Sequence, residues 1–254
     1  MSQRVYRPEA TSRASVEAST HVTGRQILAA LGLWVFTSAV LGTATIFGFR
    51  AVAPNWDPGV GPVVVVVAEV YLLLAVSLVI CCGGLAGLRQ RLAFRFTSWR
   101  DIVLAVNLAG AWVVLSAVCY TALALAFGWS AKQTLLLILS RGTDMDRLAD
   151  ASAISLAFIL LRVGFLVGLG EELLYRGALF SWLSSKYTAR TTILVTTVLF
   201  TLQHALPILF PAAIILGLLT GWLRHRTGST LNTLVVHAIV DLTMLLVGWL
   251  LTLS

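Results

Sequence analysis

The chain has 254 residues, of which 58% are hydrophobic and only 11% are charged. This composition excludes an ordinary soluble domain and is typical of a polytopic membrane protein. The formal net charge of +7 raises the possibility of nucleic-acid binding. The basic residues are scattered between apolar stretches, however, so we expect no nucleic-acid partner and interpret them as determinants of membrane topology.

The first 26 residues are polar and lack the short apolar core and cleavage site of a signal peptide. We expect residues 1–26 to be a disordered cytoplasmic tail and residues 27–254 to form a single membrane domain. Its fold class is predicted to be all-α, a polytopic transmembrane helical bundle. Seven apolar stretches have about the length that a membrane span needs: 27–49, 62–88, 101–128, 151–186, 190–206, 208–223 and 231–252.

The segment 151–186 is longer than a bilayer crossing at about 1.5 Å per residue. It should protrude from the membrane or break near its glycines, and a break would give an eighth membrane segment. The glycines in question are Gly164, Gly168 and Gly170. We therefore predict seven to eight segments in a multi-pass protein of the cell membrane.

Orientation follows from the connections, because Lys and Arg accumulate in short cytoplasmic loops. With seven spans, the basic tail, the arginine-rich connection 89–100 and the turns at 186–190 and 224–226 all lie on one side. The N-terminus is therefore predicted to be cytoplasmic.

Ionisable residues recur at helical spacing inside the C-terminal apolar segments. A charge inside a bilayer costs several kcal/mol, so such residues mark a functional site by default. These residues form three runs. Counted from the nearest cytoplasmic turn, all three lie at a common depth of roughly 20 Å, which places the site in the cytoplasmic half. The runs are Glu171-Glu172-Leu173-Leu174-Tyr175-Arg176, Phe200-Thr201-Leu202-Gln203-His204 and His237-Ala238-Ile239-Val240-Asp241.

Helical spacing separates the two carboxylates of the first run. Glu172 shares a face with Arg176 and is predicted to pair with it, whereas Glu171 shares its face with Tyr175. Glu171 is then free to face a cavity as a candidate general base. Tyr175 either contacts substrate or packs in the core.

The second and third runs supply partners for that base. His204, from another helix, could share the same water molecule. His237 and Asp241 lie four residues apart on one face and could orient a substrate carbonyl or stabilise an oxyanion. Phe200 is interpreted as a packing residue.

The runs EExxxR, FxxxH and HxxxN/D, in this order, resemble the three motifs of the CPBP family. This family comprises the type II CAAX prenyl endopeptidases, also called CAAX amino-terminal proteases or Abi proteins, and the resemblance covers about residues 150–245. It implies a protease core that works without a cofactor. In such a core Glu171 and His204 activate water, His237 and Asp241 form the oxyanion site, and Glu172 and Arg176 fix the architecture.

The implied substrate is a membrane-associated or lipidated peptide or protein at the bilayer, such as a prenylated tail, a bacteriocin or a leader peptide. The chain departs from the family pattern at Asp241, where asparagine is common. An ionised aspartate cannot donate to an oxyanion. Asp241 must therefore be protonated, or orient His237 instead, or alter the activity.

Other functions use the same residues. Glu171, His204 and His237 could bind Zn²⁺ in a membrane metalloprotease, although no HExxH spacing is present. A non-catalytic scaffold or bacteriocin immunity protein would keep the fold and act by binding. A proton-coupled carrier would use buried carboxylates, but the two related halves typical of carriers are absent from the sequence.

Overall fold

The computed structural model describes residues 21–52, 61–130, 157, 159–204 and 206–252, and these residues are helical or lie in short connections. Most of the predicted N-terminal tail, residues 1–20, lies outside them. We number the helices in chain order: α1 Gly24–Val52, α2 Gly61–Cys81, α3 Gly84–Gln90, α4 Trp99–Phe127, α5 (the consecutive stretches Arg162–Val167, Gly168–Glu172, Leu173–Leu179 and Phe180–Ser184), α6 Ala189–Leu202, α7 Phe210–Thr227 and α8 Thr230–Thr252.

Helix α1 begins slightly before the predicted apolar stretch because the chain carries a capping box there. The backbone N–H of Gln26 donates to Oγ1 of Thr23 (3.3 Å), and the backbone N–H of Thr23 donates to Oε1 of Gln26 (3.0 Å). This reciprocal arrangement satisfies two backbone donors that the first helical turn otherwise leaves unpaired.

Each of the seven predicted apolar segments contains helix in the part of it that the structure describes. By length and composition, four helices of the described residues could cross a membrane, namely α1, α4, α7 with the turn before it, and α8. A fifth span results if α2 and α3 are counted together, and α6 is a shorter apolar helix. The fold is therefore an all-α polytopic bundle, as predicted.

A sharp bend of 93° separates α2 from α3. Gly83 and Gly84 form it with φ angles of 106° and 67°, in the left-handed region that glycine adopts without a steric cost. A Cβ atom at Gly87 would overlap the carbonyl of Cys82. Glycine is therefore required within this turn and again at Gly87, in the first turn of α3.

The predicted break in the long segment is wrong for the part of it that the structure describes. Helix α5 continues through the glycines and widens into π-helix on both sides of Gly168–Glu172. The glycines admit neighbouring helices instead, since a Cβ at Gly164 would come within 2.6 Å of Leu242 in α8, and one at Gly170 within 3.0 Å of Tyr71 in α2. Small residues commonly allow helices to pack closely inside membranes.

Helix α5 lies between two apolar clusters. Leu173 and Ala178 pack with residues of α1 and α2, such as Ala30 and Leu78. Tyr175, only two residues after Leu173, packs in the second cluster with side chains of α4, α6, α7 and α8. The helix that carries the predicted carboxylates is thus enclosed by the bundle.

Helices α6 and α7 approach each other at Gly217, which provides our first prediction. A Cβ at this position would lie 2.7 Å from Cγ2 of the buried Thr197, whose branched side chain has little rotamer freedom. We expect Gly217→Ala to lower the stability by about 1–3 kcal/mol through overpacking, seen as a lower Tm in detergent.

Gly110→Ala is the matched control, because a Cβ at Gly110, in the membrane helix α4, meets no atom within 4 Å. Its Tm should be unchanged or higher, since alanine favours helix more than glycine does. Equal Tm values for both variants would contradict the close packing inferred at Gly217.

Candidate active site

The carboxylates of the first motif lie inside the bundle on α5. Glu171 is 4% exposed and Glu172 is 1% exposed. Both belong to the short α-helical stretch Gly168–Glu172 between two π-helical stretches, and π-turns in helices are frequent at functional sites. Arg176, the last residue of the motif, lies in the second of these π-helical stretches.

His237 of α8 is the centre of the polar cluster. Its Nδ1 lies 2.9 Å from Oε1 of Glu172, and its Nε2 lies 3.6 Å from Oε2 of Glu171 and 3.5 Å from Oδ2 of Asp241. An ionised carboxylate only accepts hydrogen bonds, so Nδ1 carries the proton when Glu172 is ionised. In that state Nε2 is an acceptor if the ring is neutral and a donor only if the ring is doubly protonated.

The predicted pair of Glu172 and Arg176 is present. Nε of Arg176 lies 3.6 Å from Oε2 of Glu172, which makes the contact an ion pair rather than a close hydrogen bond. Arg176 is fully buried, and its Nη2 donates to the carbonyl of Gly217 at 3.4 Å. Glu172 therefore contacts both a guanidinium and an imidazole, the second of which the sequence pattern did not predict.

Phe200 is a fully buried packing residue, and it lies among the polar residues of the cluster. The guanidinium carbon of Arg176 is 4.5 Å from the centre of its ring, within cation–π range. The rings of His204 and His237 contact Phe200 edge to face, with centroid distances of 5.0 and 5.8 Å. One aromatic ring thus keeps the two histidines at fixed positions relative to each other.

His204 lies in the turn that follows α6. Its Nδ1 is 2.9 Å from the carbonyl of Phe200, and a carbonyl can only accept, so Nδ1 is the donor. In a neutral His204, Nε2 therefore carries a lone pair and can accept a proton. This backbone contact fixes both the tautomer and the direction of the ring.

A cavity of about 120 Å³ lies beside the cluster, bounded by α4, α5, α7 and α8. This volume holds several water molecules. His204, His237 and Asp241 provide its polar wall, while its other lining residues are mostly apolar. Trp112 is one of them, and its Nε1 donates to the carbonyl of Ala212 at 2.9 Å.

Glu171 contacts both α2 and α8. This residue does not line the cavity and does not contact His204 among the described contacts. Its Oε1 accepts from the hydroxyl of Tyr71 at 3.2 Å, and its Oε2 faces His237. Asp241 lines the cavity, and His237 lies between Asp241 and the two glutamates of α5.

Two site residues were missed by the sequence analysis. Tyr71 belongs to α2, 100 positions before Glu171, and a single tyrosine in an apolar helix gives no local signal. Gln203 precedes His204, and its Oε1 accepts from the hydroxyl of Tyr175 at 2.9 Å. Gln203 was visible inside the second motif, but only the packing of α5 against α6 shows that it positions Tyr175.

The donor set proposed for zinc is not assembled. Among the residues that the structure describes, no three His, Cys, Asp or Glu side chains are grouped as metal ligands. Nδ1 of His237 contacts Glu172 and Nδ1 of His204 contacts a backbone carbonyl, which leaves Nε2 of each ring as the nitrogen that could bind a metal. Zinc binding by Glu171, His204 and His237 stays an alternative prediction.

The buried ion pair generates a second prediction. Arg176→Gln would leave Glu172 buried without its guanidinium, and removing one partner of such a pair costs about 3–5 kcal/mol. We expect a large fall in Tm and a loss of folded protein in detergent. Arg190→Gln removes an exposed arginine from the first turn of α6 and should leave Tm within error. An unchanged Tm for Arg176→Gln would mean that the ion pair does not hold the cluster.

Residues 153–243 match the family model described as type II CAAX prenyl endopeptidase Rce1-like. Neither a curated protein nor a solved structure matches the chain. The matched region begins before α5 and ends within α8, so it contains all three motifs and the polar cluster that they form. This region is therefore similar to the type II CAAX prenyl endopeptidases, the family that the three motifs of the sequence resemble.

Proposed function

We propose that the protein is an intramembrane endopeptidase that hydrolyses a peptide bond of a membrane-associated or lipidated peptide or protein, using water activated by Glu171 and His204. The observation that carries this proposal is the meeting of two imidazoles and a carboxyl group at a cavity within an apolar helical bundle. Such groups are costly in a membrane and are retained there for function. The match of the same residues to a protease family supports the same conclusion.

His204 is the group best placed to take a proton from water in the cavity. Its tautomer leaves Nε2 as the acceptor, and the ring lines the cavity. The water oxygen then attacks the substrate carbonyl carbon, and its proton passes to the leaving amide nitrogen when the C–N bond breaks. Histidine suits both transfers because it changes charge near neutral pH.

In this proposal Glu171 acts on the reacting water through its charge, next to His237. Its Oε2 lies 3.6 Å from Nε2 of His237, while Tyr71 holds its Oε1. We assign the negative charge of Glu171 two effects. It stabilises the positive charge that His204 gains when it takes a proton from water, and it favours a doubly protonated His237, whose Nε2–H can donate to an oxyanion.

Asp241 is the carboxyl group nearest to the substrate in this proposal. Its Oδ2 lies 3.5 Å from Nε2 of His237, and it lines the cavity. When protonated, it donates to the oxyanion as an asparagine would. When ionised, it orients His237 instead.

We also propose a location in the cell membrane, with a cytoplasmic N-terminus and an active site in the cytoplasmic half. This part of the proposal rests on the distribution of arginines. The substrate is a peptide or protein, for which a prenylated tail, a bacteriocin and a leader peptide are the chemical options. Zinc-dependent hydrolysis and a non-catalytic scaffold or immunity protein are the alternatives that the experiments below separate.

Our third prediction concerns the water-activating residues. Purified protein in detergent should cleave members of a quenched fluorescent peptide library, and Glu171→Gln and His204→Ala should each reduce kcat/KM at least about 100-fold, the lower range for loss of a general base. Glu69→Gln is the control, because Glu69 is another carboxylate of a membrane helix and contacts Thr45 of α1 instead of the cluster.

Near-normal turnover by Glu171→Gln or His204→Ala would remove the role assigned to that residue. An unchanged cleavage rate in the presence of a strong chelator is expected, whereas chelator-sensitive cleavage would favour the zinc alternative. A non-catalytic scaffold would be favoured if neither the unchanged protein nor any variant cleaved a peptide and Glu171→Gln still behaved like the unchanged protein in cells.

Asp241 provides a fourth prediction. Asp241→Asn should keep kcat/KM within about 10-fold of the unchanged protein, because an amide N–H can donate where a protonated carboxyl does. Asp241→Leu preserves the approximate size but has no polar group, and it should lose activity. Equal inactivity of both variants would show that the carboxyl group itself is needed. A comparison of their Tm values separates loss of function from loss of folding.

A further inference from the structure

Glu171 is held in part by a residue that lies outside the three motifs. Its Oε1 accepts from the hydroxyl of Tyr71 in α2 at 3.2 Å, and its Oε2 lies 3.6 Å from Nε2 of His237 in α8. The two oxygens of one carboxylate therefore meet two different helices. Tyr71 precedes residues 153–243, the region that matches the family model. The contact thus brings the N-terminal part of the chain to the candidate active site.

The position of Tyr71 results from the close approach of α2 to α5. A Cβ at Gly170, the residue before Glu171, would lie 3.0 Å from Cδ1 and 3.0 Å from the carbonyl oxygen of Tyr71. Such contacts are closer than ordinary van der Waals distances, so glycine is needed for the ring to lie where it does. Leu74, one turn after Tyr71, is buried in the same apolar cluster as Leu173 of α5. The packing of the two helices therefore fixes the ring of Tyr71.

Burial alone does not orient the carboxylate of Glu171. Its side chain has three torsion angles, and the last of them is broad. The contacts with Tyr71 and His237, one at each oxygen, restrict this freedom. Glu171 is almost completely buried, and a buried oxygen that loses its donor is costly. Without the hydroxyl of Tyr71, we expect the carboxylate to turn towards another donor and to change its distance from His237.

Tyr71 acts through Glu171 rather than on the substrate. The described residues that line the cavity include His204 and Asp241 but not Tyr71. The strength of an electrostatic effect depends on the distance between the charges. The two effects that we assign to the charge of Glu171 therefore depend on where Tyr71 holds the carboxylate.

We propose that Tyr71 is a positioning residue of the active site, and that its hydroxyl holds the carboxylate of Glu171 next to Nε2 of His237. The kinetic consequence rests on the proposed endopeptidase function, whereas the position of the carboxylate does not. Helix α2 is then a necessary part of the site, although it carries none of the three motifs.

Tyr71→Phe tests the kinetic role, because it removes the hydroxyl and keeps the ring. In the peptide cleavage assay it should lower kcat about 10-fold, as expected for a lost hydrogen bond to a charged group, and leave KM within about twofold. Tyr120→Phe is the matched control and should cleave at the unchanged rate. Tyr120 is also a tyrosine of a membrane helix, and its hydroxyl donates to the carbonyl of Ile208 at 2.8 Å instead of to the cluster.

The dependence on Glu171 is tested in the Glu171→Gln background, in single turnovers with excess protein. Tyr71→Phe should lower the rate less than about twofold there, because the charge that Tyr71 positions is already absent. A further fall of about tenfold would show that Tyr71 acts independently of Glu171 and would overturn the proposal.

Nitrogen-15 NMR of histidine-labelled protein in detergent gives a second readout, which needs no hydrolysis. The signals of His237 are those that persist when each of the other three histidines is replaced by glutamine, namely His21, His204 and His225. The Nε2 signal of His237 should move in Tyr71→Phe and stay in place in Tyr120→Phe. Gly170→Ala keeps the hydroxyl but crowds the ring, and it should move the same signal.

An Nε2 signal that is the same in Tyr71→Phe as in the unchanged protein would overturn the proposal, as would equal kcat values for the two tyrosine variants. If Tyr71→Phe does not fold, as judged by its Tm, the NMR spectrum of Gly170→Ala decides. Absence of cleavage by the unchanged protein would overturn the proposed function instead, and the NMR comparison would still decide whether Tyr71 positions Glu171.

Discussion

The structure depends on one constraint, which is that charges inside an apolar bundle must be compensated by other charges or polar groups. Glu172 is almost completely buried, and it contacts the guanidinium of Arg176 and the imidazole of His237. Removing either partner would leave a buried carboxylate with only one compensating group in a medium of low dielectric. The packing of α5 against α8 therefore determines both the stability of the bundle and the position of the central histidine.

Close helix packing makes this compensation possible. Glycines on α5 allow α8 and α2 to approach, and Gly217 brings a carbonyl of α7 within reach of Arg176. Phe200 fills the remaining space and separates the two histidines without introducing a polar group. The polar cluster and the apolar contacts are therefore interdependent, and small residues are as necessary to the site as the ionisable ones.

The geometry distributes the chemical roles differently from the simplest reading of the motifs. His204 and Asp241 face the cavity, whereas Glu171 lies behind His237 and is held by Tyr71. A protease mechanism built on this cluster uses the imidazoles as the groups next to the substrate and the glutamates as the source of their charge state.

The sequence by itself determined the helical class, the seven apolar segments, the three motifs and the pair of Glu172 and Arg176, because each follows from composition or from spacing along one helix. Only the tertiary structure decided which face of α5 meets α8, that Tyr71 contacts Glu171, and that His237 contacts Glu172. These contacts join residues from helices distant in sequence. Local periodicity contains no information on them, since they arise from how the helices pack.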